Sequence, residues 1–286
     1  MSKMSIRQPC ALNFYSKECK KENIEQYLRG FKIPVDPVKI AAGIVPHAGW
    51  MFSGGVAAKV FRSIKEKNDP ATFILLGAVH QGHIEKNSVY SSGYWSTPFG
   101  NVEVDADTAS GILKEAKDLL SENSIVHIKE HSLEVQVPFI KYFFPKSKIV
   151  PIQIIPDGKA CLTGQKIGEF IGRSKKEIIV IGSTDLTHYG DNYGFVPQGY
   201  GSHALEWLKE NDARIIKLCL EMQVEDIVEE AAMNRNACGS GAMAATVSAA
   251  KTMKVKKGIL VEYATSYDVL PKGDFEMGVG YAGMIF

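Results

Sequence analysis

Short apolar runs recur along this chain at intervals that leave room for a helix between them. That alternation limits its fold more than any other feature. Residues 39–45, 72–76, 148–154 and 177–181 are strand-length stretches such as TFILL and EIIVI, whose apolar residues run consecutively rather than falling on every second position. Strands of this kind are buried on both faces, as in a parallel sheet. Between them lie helical patterns. In 53–67, Val56, Val60, Phe61 and Ile64 fall on one face. Further helices are predicted over 105–120 (capped by Asp105 or Asp107), 130–144, 163–171, 203–221, 224–233 and 238–253. Strands over 258–267 and 278–286 close the chain. Parallel neighbours need a crossover of helix size. The alternation therefore predicts an α/β fold, with a mostly parallel sheet flanked by helices. A hairpin over 87–104, turning at Thr97-Pro98-Phe99-Gly100, adds antiparallel pairing and makes the sheet mixed. No linker, low-complexity stretch or repeat interrupts the pattern, so one domain over 1–286 is expected.

Three of the strands run into a turn that carries a histidine. They are Ile44-Val45-Pro46-His47, Leu75-Leu76-Gly77-Ala78-Val79-His80 and Ile181-Gly182-Ser183-Thr184-Asp185-Leu186-Thr187-His188. In open α/β sheets the ligand crevice lies beyond the carboxyl ends of the strands. One such histidine alone is better explained by structure than by function, but three repeats of the pattern argue for a shared site. His131 and Glu134 are spaced to share a face of a largely buried helix, where a histidine and a carboxylate need partners. The bland alternative is an acidic helix start at Glu130 and Glu134. Cys238, in Asn236-Ala237-Cys238-Gly239-Ser240-Gly241, falls at the start of an Ala-rich helix, a position that favours thiolate. Cys10, Cys19, Cys161, Cys219, His83, His127 and His203 lack such settings and read as packing or surface residues. There is no P-loop, no H-E-x-x-H and no G-x-S-x-G.

Composition narrows the partner. Lys plus Arg is 33 against 32 Asp plus Glu, a net charge of +1, which gives no footprint for nucleic acid or an anionic membrane surface. A small molecule in a pocket is the expected ligand. Five widely spaced cysteines with no C-x-x-C argue against a disulfide framework or a zinc ribbon. Residues 1–10 are polar and have no signal-peptide core, and no apolar run is long enough to span a bilayer. A reduced, cytoplasmic protein is the expectation.

Six motifs in fixed order carry a resemblance: Pro46-His47-Ala48-Gly49-Trp50, Leu76-Gly77-Ala78-Val79-His80, Ser96-Thr97-Pro98-Phe99-Gly100, Glu130-His131-Ser132-Leu133-Glu134, Ser183 to Tyr189, and Cys238-Gly239. Together with an N-terminal Arg7-Gln8-Pro9, this set resembles the Memo-like family, also labelled AmmeMemoRadiSam system protein B, over essentially the whole chain. The family is similar in fold to class III extradiol dioxygenases, which are non-haem iron enzymes. The resemblance implies His47, His80 and Cys238 as ligands of iron or copper, with zinc as an adventitious occupant. It implies Asp185 and His188 as polar catalytic residues, His188 being the acid/base. His131 and Glu134 fall in a family motif and are assigned here to substrate binding. It also implies radical-SAM and AMMECR-type proteins as functional partners of prokaryotic members. The dioxygenases use two histidines and a carboxylate, whereas this chain offers the softer thiolate of Cys238, suited to Fe(II) or Cu(I).

The expected function is therefore a metal-dependent, dioxygenase-like oxidoreductase acting on a small, phenolic molecule. Two alternatives compete with it. One is a hydrolase or transferase using Cys238, His188 and Asp185 without metal. The other is a pocket that binds a peptide or ligand without turnover.

Overall fold

The computed structural model describes residues 5–33 and 39–286; Met1 to Met4 of the polar N-terminal stretch lie outside it. The strands are β1 (Ile6–Arg7), β2 (Ala42–Val45), β3 (Thr72–Gly77), β4 (Asn87–Val89), β5 (Tyr94–Trp95), β6 (Val102–Glu103), β7 (Leu120–Glu122), β8 (Lys148–Gln153), β9 (Ile178–Ser183), β10 (His188–Tyr189), β11 (Ile259–Thr265) and β12 (Gly278–Ile285). The helices are α1 (Leu12–Tyr15), α2 (Lys21–Tyr27), α3 (Trp50–Lys67), α4 (Ala106–Glu115), α5 (Val137–Phe143), α6 (Ala160–Arg173), α7 (Ser202–Leu220), α8 (Ile227–Asn234), α9 (Ser240–Thr252) and α10 (Ser266–Val269).

Among the described residues one nine-stranded sheet runs β10-β12-β2-β9-β3-β8-β4-β7, with β11 paired to β12 as well. Its centre, β2-β9-β3-β8, is parallel, while β12 joins β2, β10 and β11 antiparallel. The expected mixed α/β fold is what forms. The continuous apolar runs are explained by layers on both faces. On β3, Phe73 and Leu75 join the core under α3 and α5, while Ile74 and Leu76 join the core under α6 and α9. Among the described residues no helix is long and apolar enough to cross a membrane.

The register places the site. β9 lies between β2 and β3, with Val45 opposite Ser183 and Leu76 opposite Gly182. Three strands thus end side by side, and the turns that follow carry His47, His80 and Asp185 to one edge.

Three local expectations differ. The predicted 130–144 helix is α-helical only over Val137–Phe143, preceded by a 3-10 turn at Glu134–Gln136. Pro138 has no N–H to continue an α-helical ladder backwards, so it starts the helix rather than extending it. The 105–120 helix stops at Glu115, and Leu120 instead pairs with Asn87. Its cap is Asp105, which accepts the Thr108 N–H. The 87–104 hairpin is split between sheets. β4 joins the main sheet, while β5 pairs with β6 and β1. Gly93 at the break has φ +101°, and a Cβ there would meet the Ser5 carbonyl at 2.5 Å.

Candidate metal centre

Three imidazoles meet beyond the ends of β2 and β3. One ring nitrogen each from His47, His80 and His131 lie within 4.8 Å of one another. The ring centroids are 5.1 Å apart for His47 and His80, 5.4 Å for His47 and His131, and 4.6 Å for His80 and His131. His47 is buried at the base and the other two rings are partly open. The sequence expectation brought His47 and His80 together with Cys238. The structure brings His131 to the cluster from the irregular segment before α5, and Cys238 falls outside the set of three.

Hydrogen bonding fixes the tautomers of two rings. Ser183 Oγ donates to the Ser132 carbonyl at 2.6 Å and accepts from Gln136 Nε2 at 3.0 Å. Its one hydrogen is therefore used, so its 3.2 Å contact with His47 Nδ1 requires an N–H on that nitrogen. His47 Nε2 is left as a lone pair. His80 Nδ1 donates to Glu130 Oε1 at 2.9 Å, which frees its Nε2 in the same way. Glu130 is fully buried. It also takes the His80 backbone N–H (2.9 Å) and the Ser132 N–H (2.8 Å), and lies 3.5 Å from His131 Nδ1. Burial alone would raise its pKa, but the His80 hydrogen bond and charge and these N–H groups outweigh it and hold the carboxylate ionised. Burial, with the neighbouring rings, pushes His47 well below the usual histidine range, and His131 is lowered by burial and by His80. Neutral imidazoles are the form that binds metal.

Cys238 sits against this cluster. Its Sγ is 3.2 Å from His47 Nε2 and accepts the Asp185 N–H at 3.3 Å. Burial raises the thiol pKa, reinforced by the charge of Asp185, so the S–H form donates to His47. The expectation that the start of α9 would favour thiolate is reversed here, because desolvation dominates. Asp185 Oδ1 accepts the N–H groups of His47 (2.7 Å) and Ala48 (3.1 Å), pinning the turn after β2. Burial raises its pKa, only partly offset by His188 and by those N–H groups. His188 Nδ1 donates to the Leu186 carbonyl at 3.0 Å, leaving Nε2 free, and its ring stands edge-on to Tyr193 at 5.0 Å. A Cys238–His188–Asp185 triad is not assembled. Cys238 pairs with His47, and His188 is oriented by backbone.

Glu134 points elsewhere. It forms a buried ion pair with Arg7 at 2.7 Å and accepts from the N–H groups of Cys10 and Ala11 (both 2.9 Å) and from Tyr15 Oη (2.9 Å). It fastens the N-terminal strap, and through it Phe14, whose ring lies 4.9 Å from His131. Glu134 does not line the cavity; His131 does. Glu130, Ser183 and Gln136 were missed as site residues. For Glu130 the available signal was its position beside His131 at the entry to a buried helix.

The histidines open into a cavity of about 740 Å³. Asp185 and His188 line its polar end. Phe14, Phe52, Tyr193, Val279 and Tyr281 form an apolar and aromatic wall, and Lys272, Asp274 and Glu276 lie at the outer rim.

A mixed α/β sheet whose parallel centre ends in a three-histidine cluster defines a protein with a candidate metal centre at its strand termini. The chain belongs to the Memo-like family, whose model, described as "Memo-like protein", matches residues 8–285. Similar relatives include MEMO1 family proteins of Pyrococcus abyssi (34% identical, covering 98% of this chain and 99% of the relative) and Methanosarcina acetivorans (33%, covering 99% of each). Another, from Thermococcus kodakarensis, is 37% identical over 87% of each chain. In structure the chain is similar to an uncharacterized protein of Escherichia coli K12, with a TM-score of 0.59 at 10% identity, covering 87% of this chain and 100% of that one. That likeness concerns the fold.

Proposed function

We propose that this chain is an iron- or copper-dependent oxidoreductase that acts on a small phenolic molecule in the cavity beside His47. The observation that carries the reading is the pair of imposed tautomers. Ser183 and Glu130 each hold a histidine Nδ1 as N–H, so His47 and His80 face the cluster with lone pairs. This outer-shell arrangement is the one that metal-binding histidines use.

The donor set fits a transition-metal ion. His47, His80 and His131 would hold it, and the Cys238 thiol lies beside His47 Nε2 as a further donor that a soft ion would recruit by displacing its proton. When bound, such an ion would supply redox chemistry and polarise a ligand oxygen. The chain's own residues supply the rest. His188, whose Nδ1 is bonded to the Leu186 carbonyl and whose ring lines the cavity wall, takes the phenolic proton at Nε2. Asp185 holds the His47 turn in place by accepting the N–H groups of His47 and Ala48. Phe14, Phe52 and Tyr281 offer flat apolar contact to an aromatic ring and exclude water.

The test is oxygen uptake by protein loaded anaerobically with Fe(II) or Cu(I), against a panel of phenols and catechols. Metal-dependent uptake that is lost in His188→Ala is expected. No uptake with any phenol, alongside a fully loaded site, would move the reading to a pocket that binds without turnover.

A further inference from the structure

A second groove lies away from the histidines, between α7 and the edge strand β11. It encloses about 390 Å³. Ile216, Leu220, Leu260 and Tyr263 give it an apolar floor, and three lysines, Lys209, Lys217 and Lys257, stand around it with one acid, Glu221. Lys209 is paired with Asp268 at 2.8 Å. Lys217 and Lys257 have no hydrogen-bond or ion-pair partner among the described residues, and both are exposed. Glu221 offsets one of these charges, so the rim keeps a net positive charge over an apolar floor, which is complementary to a small apolar anion that buries its hydrocarbon and keeps its charge at the rim.

The groove is braced against the body of the protein. The Gly258 N–H donates to the Leu220 carbonyl at 2.8 Å, tying the end of α7 to the segment leading into β11. Tyr263 Oη donates to Asp212 Oδ2 at 2.8 Å, and Asp212 Oδ1 accepts the Thr187 N–H at 2.9 Å. Asp212 is fully buried and pressed against β12, where a Cβ on Gly280 would meet Oδ2 at 1.8 Å. One carboxyl group therefore joins the floor of the groove to the residue that precedes His188. Tyr263 is thereby linked to the turn through two consecutive hydrogen bonds and a close-packed carboxyl group.

We infer that the α7–β11 groove is a ligand site for a small apolar carboxylate, and that its occupant is felt at the Asp185–His188 turn through Tyr263 and Asp212.

Octanoate is the probe, with octylamine as the charge control, followed on the full chain by titration calorimetry and amide NMR. Saturable octanoate binding is expected, with shifts at Ile216, Leu260 and Tyr263 and at the amides of Thr187 and His188. The Lys217→Ala/Lys257→Ala variant should weaken binding about 3- to 10-fold, as the loss of two exposed charge contacts would. Tyr263→Phe should keep binding within ~2-fold while abolishing the Thr187 and His188 shifts, because the hydrocarbon contact remains and the hydrogen bond does not. Equal binding of octylamine, undiminished binding by the double-lysine variant, or shifts confined to the histidine cavity would overturn the site. Octanoate saturation with unmoved Thr187 and His188 amides would overturn the coupling.

Discussion

Glu130 grips His80 twice: one carboxylate oxygen takes the ring Nδ1–H and the other takes the backbone N–H of the same residue, each at 2.9 Å. The ring is thereby fixed in both tautomer and direction, and the third bond of the carboxylate, to the Ser132 N–H, ties it to the segment that carries His131. Removing such a partner typically costs a metal site 10–100-fold in affinity, on the order-of-magnitude scale of outer-shell substitutions. Glu130→Gln should therefore keep its fold and lose about 10-fold in metal affinity, read by competition with a chromophoric chelator. Unchanged affinity would mean that the carboxylate does not serve the metal.

Cys238 makes a spectroscopic prediction. Its thiol meets the same His47 nitrogen that faces the cluster. Cobalt(II) loading of the wild-type chain should give a near-ultraviolet thiolate charge-transfer band, absent from Cys238→Ser. A wild-type spectrum without that band would leave the three imidazoles as the protein donors.

Arg7 and Glu134 form a buried pair with side chains 3% and 2% exposed, so removing one partner strands the other charge. Arg7→Ala should cost about 3 kcal/mol, measured by denaturant unfolding. A loss under about 1 kcal/mol would show that water or rearrangement of the strap compensates Glu134.

Asp212 predicts a pH dependence. Burial, opposed by its bonds to Thr187 and Tyr263, raises its pKa from 3.8 to about 7. The folded state keeps the proton over a range where the unfolded chain releases it. The contribution of Asp212 is thus complete below about pH 4 and is lost as pH rises through about 7, a fall of about 4 kcal/mol. Asp212→Asn should remove that slope, so that the difference between variant and wild type grows from pH 4 to 7 and then levels. Parallel stability curves across this range would contradict the assignment.

These residues also show how far the sequence could be read. β2, β3 and β9 were legible because strands buried on both faces must be apolar throughout, and His47, His80 and His188 because they follow such strands. The place of His131 was not, since 130–144 reads as one continuous helix, whereas the part before Val137 folds as a 3-10 turn that points His131 and Glu134 different ways. Nor was the partner of Glu134. Arg7 lies 127 residues away, and only the tertiary fold brings the two together. The environment of Cys238 was read from its helix start, yet the burial that governs it comes from the β2 and β9 turns packed above.

The central claim is that His47 and His80, with tautomers set from behind, form the core of a metal site. The direct measurement is metal stoichiometry after anaerobic loading with Fe(II) or Cu(I) and gel filtration, on wild type and on His47→Ala and His80→Ala. The account predicts about one ion per wild-type chain and near-complete loss in both variants. Full retention of metal by the two variants would contradict it.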